Sequence, residues 1–188
     1  MTSSKLLVPE IQNYIDLVRS GKIAVCKEQL QLCDYVENCF KTEELFVDTK
    51  QLERYLSLQK YFPFELLDWE VFCFTLHNCV YSAPGILRWP DLFIFVGRGA
   101  GKNGYLAFED FALISQYNNI KKYHIDICAN SEEQAKTSFD DVYDVLEEHE
   151  PKLKKHFDWN KEVITNTRTG SELKFRTANF KTKDGGRP

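Results

Sequence analysis

The stretch "LFIFVGRGAGKNGYLAFED", residues 92 to 110, decides the fold, because a strand, a glycine turn and a helix start follow one another in it. The apolar residues Leu92 to Val96 predict a buried strand, and the segment 102–114 predicts a helix. Between them lies a turn made of Gly97, Arg98, Gly99, Ala100 and Gly101. A strand, a glycine-rich turn and a helix in this order are typical of a loop that binds phosphate groups.

Phosphate binding by such a loop depends on backbone N–H groups that curl around the anion, with the positive end of the following helix directed at it. Glycine permits the positive φ angles that this path requires. Lys102 adds a point charge for the β and γ phosphates. The standard pattern is Gly, four residues, then Gly-Lys-Ser/Thr; here Val96 occupies the first glycine position and Asn103 the last position. The alternative to a nucleotide site is a structural glycine turn.

For two side chains of this loop, Asn103 and Arg98, the sequence allows more than one role. The amide oxygen of Asn103 is a hard ligand and could bind Mg²⁺, or Asn103 could simply lie in the first helical turn. Arg98 could brace the loop or stabilise charge on a transferring phosphoryl group, or it could point into solvent. The sequence therefore predicts Gly97 to Asn103 as the phosphate site, with Asn103 as the metal ligand.

The composition is that of a soluble globular protein. Of the 188 residues, 43% are hydrophobic and 28% are charged, which is enough to build a core and a solvated surface. No apolar run approaches the ~20 residues of a membrane-spanning helix, and no secretory segment opens the chain. The six cysteines show no CxxC spacing, so reduced core thiols are favoured over the alternatives of zinc ligands or disulfides. These features predict a cytoplasmic protein.

The charge is unevenly distributed along the chain. The net charge is −4, yet seven basic residues stand against three acidic ones from Lys161 onward. This basic segment could contact phosphates, or it could be an exposed hairpin with solvated lysines.

The order of predicted elements divides the chain into two regions. Residues 1–83 predict four helices: one starting at Pro9, one over 27–40, one capped by Asp48 and Gln51, and one within "PFELLDWEVFCFTLHNCVY". Residues 84–188 predict alternating strands and helices, with strand 123–128, a helix capped by Ser131 and Gln134, and a hairpin around Thr169-Gly170. This order favours an α/β fold with a mainly parallel sheet behind an N-terminal helical region.

Four blocks of sequence, spread over roughly residues 60 to 186, resemble the N-terminal ATPase part of the large terminase subunit of tailed bacteriophages. "GRGAGKN" is similar to the arginine-bearing phosphate loop of that family. "FPFELLDWEVFCF" resembles its aromatic-glutamine adenine motif, with Trp69 matching and Glu70 in place of the glutamine. "YHIDICANSEEQAKTSF" resembles the next strand-helix motif, and "LKFRTANFKTKDG" is similar to the segment before the acidic Walker B motif.

The resemblance implies a P-loop NTPase of the RecA-like class, with a partial parallel sheet, that binds ATP and Mg²⁺. It implies that Arg98 and Lys102 act on the phosphates during catalysis, that the backbone of Gly97 to Gly101 holds them, and that Trp69 and Glu70 lie near the adenine. It also implies a motor that packages viral double-stranded DNA into procapsids, as an oligomeric ring with a portal protein and a small terminase subunit, inside a bacterial host cell.

The acidic part of such a site is not apparent in the sequence. The family has an apolar strand ending in Asp-Glu shortly after the segment seen here, and the chain ends at Pro188 without one. Asp126 has no adjacent carboxylate, while the pairs Asp140-Asp141 and Glu147-Glu148 are expected to face solvent. We therefore expect a truncated ATPase domain. The alternatives are a non-catalytic remnant or interaction module with a vestigial loop and, less favoured, another P-loop enzyme such as a helicase or a small-molecule kinase.

Overall fold

The computed structural model describes residues 7–177, and its fold is mixed α/β. Over these residues the chain divides into two compact units, the first within Met1–Glu53 and Leu66–Phe95 and the second within Arg54–Glu65 and Val96–Pro188. No helix of the described part of the chain is long and apolar enough to cross a membrane. The basic positions beyond residue 177 and the predicted final loop lie outside the described residues.

The four helices predicted for the N-terminal region are confirmed. They are α1 (Pro9–Arg19), α2 (Lys27–Thr42), α3 (Thr49–Leu56) and α4 (Asp68–Cys79). Pro9 lies in the first turn of α1, where its missing N–H costs no hydrogen bond. At the start of α3, Asp48 Oδ1 accepts a hydrogen bond from the Gln51 N–H at 2.9 Å, as the capping pattern predicts.

The core of the first unit forms where α1 packs on α4. Ile11 and Ile15 are fully buried on one face of α1, at the spacing of one helical turn. Tyr14 contacts Phe72 of α4 with ring centroids 4.6 Å apart. Burial of each such side chain stabilises the fold by about 1.5–3 kcal/mol.

The first unit is not helical throughout, which corrects the prediction for residues 1–83. β1 (Phe46–Val47), β2 (Val80–Ala83) and β3 (Ile86–Leu87) form a three-stranded antiparallel sheet in that order. Pro84-Gly85 is the turn between β2 and β3, with Gly85 at φ 75°, rather than a break between regions. The fourth helix ends at Cys79, because the β-branched Val80 begins a strand that pairs with the distant β1 as well as with β3.

Among its described residues, the second unit contains three further α-helices and four strands. They are α5 (Lys102–Ile114), β4 (Ile125–Ala129), α6 (Glu132–Glu148), α7 (Glu150–Leu153), β5 (Phe157–Trp159), β6 (Val163–Asn166) and β7 (Glu172–Thr177). The predicted helix 102–114 is confirmed, and so is the helix after Ser131, whose hydroxyl accepts from the Gln134 N–H at 3.3 Å. Against β7, α6 packs Phe139 on Phe175 with ring centroids 5.1 Å apart.

The sheet of the second unit is mixed, so the prediction of a mainly parallel sheet is wrong. Its strand order is β4-β7-β6-β5, and only β4 and β7 run parallel. The connections from β5 to β6 and from β6 to β7 are too short for the crossover that a parallel pair needs, so these pairs are antiparallel. The hairpin at Thr169-Gly170 is confirmed, with Gly170 at φ 70°.

The segment Leu92 to Val96 is not a strand in the described structure, which is a second correction. No described strand pairs with it, and the side chains of Phe93 and Phe95 are 88% and 91% exposed. A run of apolar residues supplies β propensity, but a strand exists only where a partner provides the other half of the hydrogen bonds. The segment leads directly into the glycine turn.

Candidate phosphate-binding site

The turn before α5 takes a path that glycine allows. Gly99 has φ 78° and Gly101 has φ 93° with ψ −7°, both in the left-handed region that other residues rarely adopt. Gly101 is also the residue that precedes the first turn of α5. Two of the three glycines that the sequence singled out are therefore required by the backbone, and Gly97 is not in this group.

The start of α5 presents hydrogen-bond donors without an internal acceptor. The Tyr105 N–H bonds to the Gly101 carbonyl at 3.1 Å, so the helical bonding begins there. The N–H groups of Lys102, Asn103 and Gly104 precede it and have no carbonyl within the helix to bond. No side chain of the described residues caps this helix start, and its first turn contains no acidic residue, so no described group there competes with an anion.

A cavity of about 330 Å³ opens at this turn and is lined by the eight consecutive residues 97–104. Most of the lining residues are exposed, with Ala100 and Gly104 half-buried. This volume lies at the lower end of the range of small-molecule sites. The cavity is bounded by backbone and by the side chains of Arg98, Lys102 and Asn103, a set that matches an anion.

The two cations of the turn are available to a ligand. Lys102 Nζ donates a hydrogen bond to Asn103 Oδ1 at 3.0 Å, and both side chains are exposed. Arg98 forms no hydrogen bond or ion pair with another residue of the range 7–177. Asn103 thus presents its oxygen to Lys102 in this structure, and an incoming phosphate would compete for the same ammonium group.

The predicted adenine residues belong to the first unit, whereas the glycine turn belongs to the second. Glu70 is buried, and its Oε2 accepts a hydrogen bond from the Leu67 N–H at 2.8 Å, which caps α4. Burial raises the pKa of Glu70, and the hydrogen bond from Leu67 acts in the opposite direction. Trp69 is half-buried against the core of its own unit. Their contact with adenine stays a prediction.

The acids considered as catalytic replacements have other surroundings. Asp126 of β4 pairs with Arg176 of β7 at 2.7 Å, a partly exposed cross-strand ion pair. Asp140 is exposed, as are Glu147 and Glu148, whereas Asp141 is half-buried and its pKa is raised by that burial. Within residues 7–177, no group of three or more His, Cys, Asp or Glu side chains is arranged to hold a metal ion.

Gly104, in the first turn of α5, has a packing role that the sequence indicates only in part. A Cβ at Gly104 would lie 3.0 Å from Cζ of Phe64, so the Phe64 ring packs directly on the first turn of α5. A glycine inside a predicted helix is the signal for such a close approach. The identity of its neighbour depends on the tertiary structure.

The comparisons with known proteins give one structural likeness. No protein-family model matches the chain, and no curated protein matches it in sequence. The fold is similar to the crystal structure of the large terminase of bacteriophage HK97, with a TM-score of 0.60 and 19% sequence identity. The similarity covers 76% of this chain and 30% of the HK97 protein, so the chain spans less than a third of that protein. At this identity the likeness establishes a terminase-like fold.

Proposed function

We propose that the turn of residues 97–104 binds the phosphates of a nucleoside triphosphate, ATP by resemblance. What supports the proposal is the combination of two left-handed glycines, a helix start with free N–H donors, and Lys102 as the first helical residue. Each feature favours the binding of an anion, and together they favour the binding of several linked phosphate groups. The side chains of Arg98 and Lys102 both line the cavity and would supply two positive charges to an anion bound there.

We further propose that this chain is part of a DNA-packaging motor of the terminase type, with a RecA-like ATPase fold. The terminase-like fold supports this, as does the collinear order of the sequence blocks. In such a motor, ATP hydrolysis drives double-stranded DNA through a portal protein into a procapsid. The proposed partners are therefore DNA, a portal and a small terminase subunit, with the motor assembled as a ring.

The other side chains proposed to contact the nucleotide are chosen for the chemical groups that they carry. Asn103 would hold Mg²⁺ through its amide oxygen, after Lys102 has moved from that oxygen to the phosphates. The exposed guanidinium of Arg98 would bind the γ phosphate and stabilise charge as the phosphoryl group transfers. Trp69 and Glu70 would contact the adenine, and Glu70 would have to do so while its Oε2 caps α4.

The second candidate is nucleotide binding without turnover. A specific observation favours it: Asp126, the acid inside a strand that could have served the metal, is engaged by Arg176. Hydrolysis needs a carboxylate for Mg²⁺ and a base for the attacking water. Release of phosphate by the purified chain, abolished by Lys102→Ala, would support the motor. ATP binding with no release would support the second candidate.

Calorimetric titration with Mg-ATP tests the shared claim of both candidates. Lys102→Ala is expected to weaken binding by about 10- to 150-fold, because a charge-assisted hydrogen bond contributes about 1.5–3 kcal/mol. Lys121→Ala is the matched control, since Lys121 is an exposed lysine of the same unit outside the cavity. Equal dissociation constants for the two variants would contradict the phosphate-loop assignment.

A further inference from the structure

The helix that follows the glycine turn contains a buried carboxyl group that has no partner in the described part of the chain. Asp110 of α5 is 9% exposed, and its Oδ2 has no hydrogen-bond donor among residues 7–177. No lysine or arginine of this part of the chain forms an ion pair with it. Neither phosphate binding nor the packing of α5 gives this acid a role, so its presence in the core needs a physical explanation.

The neighbours of Asp110 make a negative charge there still less favourable. Glu109, 8% exposed, is next to it and accepts a hydrogen bond from the Tyr105 hydroxyl at 3.0 Å. Burial raises the pKa of Tyr123, just before β4, and the charges of Glu109 and Asp110 raise it further, so these groups lie within electrostatic range of one another. The hydroxyl of Tyr105 donates to Glu109, whereas Asp110 has no such donor among the described residues.

Within residues 7–177, the other elements packed on α5 offer Asp110 no positive charge. On β7, Lys174 pairs with Glu172 and Arg176 pairs with Asp126. On α6, the acid that is half-buried is Asp141, and its charged neighbours are Asp144 and Asp140 of its own helix. From segment 54–65 the contacts with α5 are aromatic, with Phe62 packed on Phe108 and Phe111.

We propose that Asp110 keeps its proton in the folded second unit, so that the unit carrying the glycine turn loses stability as the pH rises. An unpaired carboxylate in such surroundings is far more costly than a neutral carboxyl group. In agreement, burial raises the pKa of Asp110 well above the ordinary value, and the charge of Glu109 adds to the effect.

Whether stability rises or falls with pH depends on how many protons the folded and the unfolded protein bind. In the unfolded chain Asp110 ionises near pH ~3.9, the ordinary value for aspartate. Above that pH, and up to its folded-state pKa, the folded state binds one proton more than the unfolded state. The ratio of folded to unfolded protein therefore falls by up to about tenfold per pH unit in this window.

Urea unfolding between pH 5 and pH 8 tests the proposal, with the second unit observed separately. Trp159 is in this unit, while Trp69 and Trp89 belong to the first, so their replacement by phenylalanine leaves a single reporter. Asp110→Asn removes the proton and preserves the shape of the side chain. Asp140→Asn, at an exposed position of the same unit, is the control.

As the pH rises, we expect the folding equilibrium constant of the parent and of Asp140→Asn to fall more steeply than that of Asp110→Asn. The difference should be up to about tenfold per pH unit. Equal slopes in the three proteins would overturn the proposal. A ¹³C NMR titration of the Asp110 carboxyl in the unsubstituted chain gives a second readout, independent of whether the variants fold. A signal that titrates near pH ~4, as in an exposed aspartate, would also overturn it.

Discussion

Replacing Gly101 by alanine tests the backbone path that creates the proposed site. Gly101 has φ 93° and ψ −7°, and it is the last residue before α5. The conformation places the Cβ of an L-residue too close to the neighbouring carbonyl, which costs about 1–2 kcal/mol. Gly101→Ala is therefore expected to destabilise the second unit or to shift the turn away from the observed geometry.

The matched substitution is Gly97→Ala. Gly97 does not have a positive φ, and a Cβ built on it meets no atom within 4 Å. Alanine at such a position stabilises a protein by about 0.4–1 kcal/mol, because it restricts the unfolded chain. The same gain applies to the unfolded state of Gly101→Ala, where it offsets part of the strain. The two variants are expected to differ by about 1–2 kcal/mol in the free energy of unfolding.

Urea denaturation followed by Trp159 fluorescence, with Trp69 and Trp89 replaced by phenylalanine, measures this difference in the second unit. With an m-value of about 1–3 kcal/mol/M, the midpoints should lie about 0.3–2 M apart, with Gly97→Ala the more stable variant. Equal midpoints, or a higher midpoint for Gly101→Ala, would refute the left-handed conformation at Gly101. The reasoning about donors at the start of α5 would then lose its structural basis.

Two further predictions concern the packing of Gly104 and the charge of Glu70. Gly104→Ala should lower the free energy of unfolding by about 1 kcal/mol, because the close contact of the new Cβ with the Phe64 ring outweighs the helix propensity that alanine adds. In a Phe64→Leu background this contact is removed, so the same substitution should be neutral or stabilising. A destabilisation of the same size in both backgrounds would contradict this contact. Burial raises the pKa of Glu70 in the folded state, so the parent should lose stability as the pH rises from the unfolded-state pKa of about 4.3 towards the folded-state pKa. Glu70→Gln keeps an acceptor for the Leu67 N–H, and its stability should fall less steeply with pH. Urea titrations at several pH values, followed by Trp69 and Trp89 fluorescence, measure both slopes, and equal slopes would contradict the assignment.

The helices were predictable because their signals are local. Proline at the start of α1, the aspartate before α3 and the serine before α6 each mark a boundary within one helical turn, and the structure places the boundaries there. The hairpin at Gly170 was predictable for the same reason, since a glycine with positive φ joins two adjacent strands.

The sheets could not be predicted to the same extent, because strand pairing depends on residues that are distant in sequence. β1 pairs with β2 across more than thirty residues, and both lie in a region whose composition favours helices. The segment Leu92 to Val96 has the composition of a buried strand, yet among the described residues it has no partner and its phenylalanines are exposed.

The turn geometry of the candidate site was predictable, and the contacts of its side chains were not. The spacing of Gly99, Gly101 and Lys102 indicates a turn before a helix start, and the structure confirms that geometry. The hydrogen bond from Lys102 to Asn103 and the Phe64 ring on Gly104 depend on side-chain placement, which the spacing does not encode. The buried state of Asp110 is likewise a tertiary property, because a helix pattern does not specify how many of its faces are covered.

The most direct test of the central claim is an NMR titration of the ¹⁵N-labelled chain with Mg-ATP, observing the backbone amides of the turn. If the turn binds phosphates, the amides of Gly99, Gly101, Lys102 and Asn103 should shift in a saturable way, and Lys102→Ala should move the same titration to much higher ATP concentration. Inorganic triphosphate should shift the same amides, since the N–H groups at the start of α5 bind phosphate rather than adenine. Amides of the turn that stay unmoved at millimolar ATP, or shift equally in Lys102→Ala, would contradict the claim.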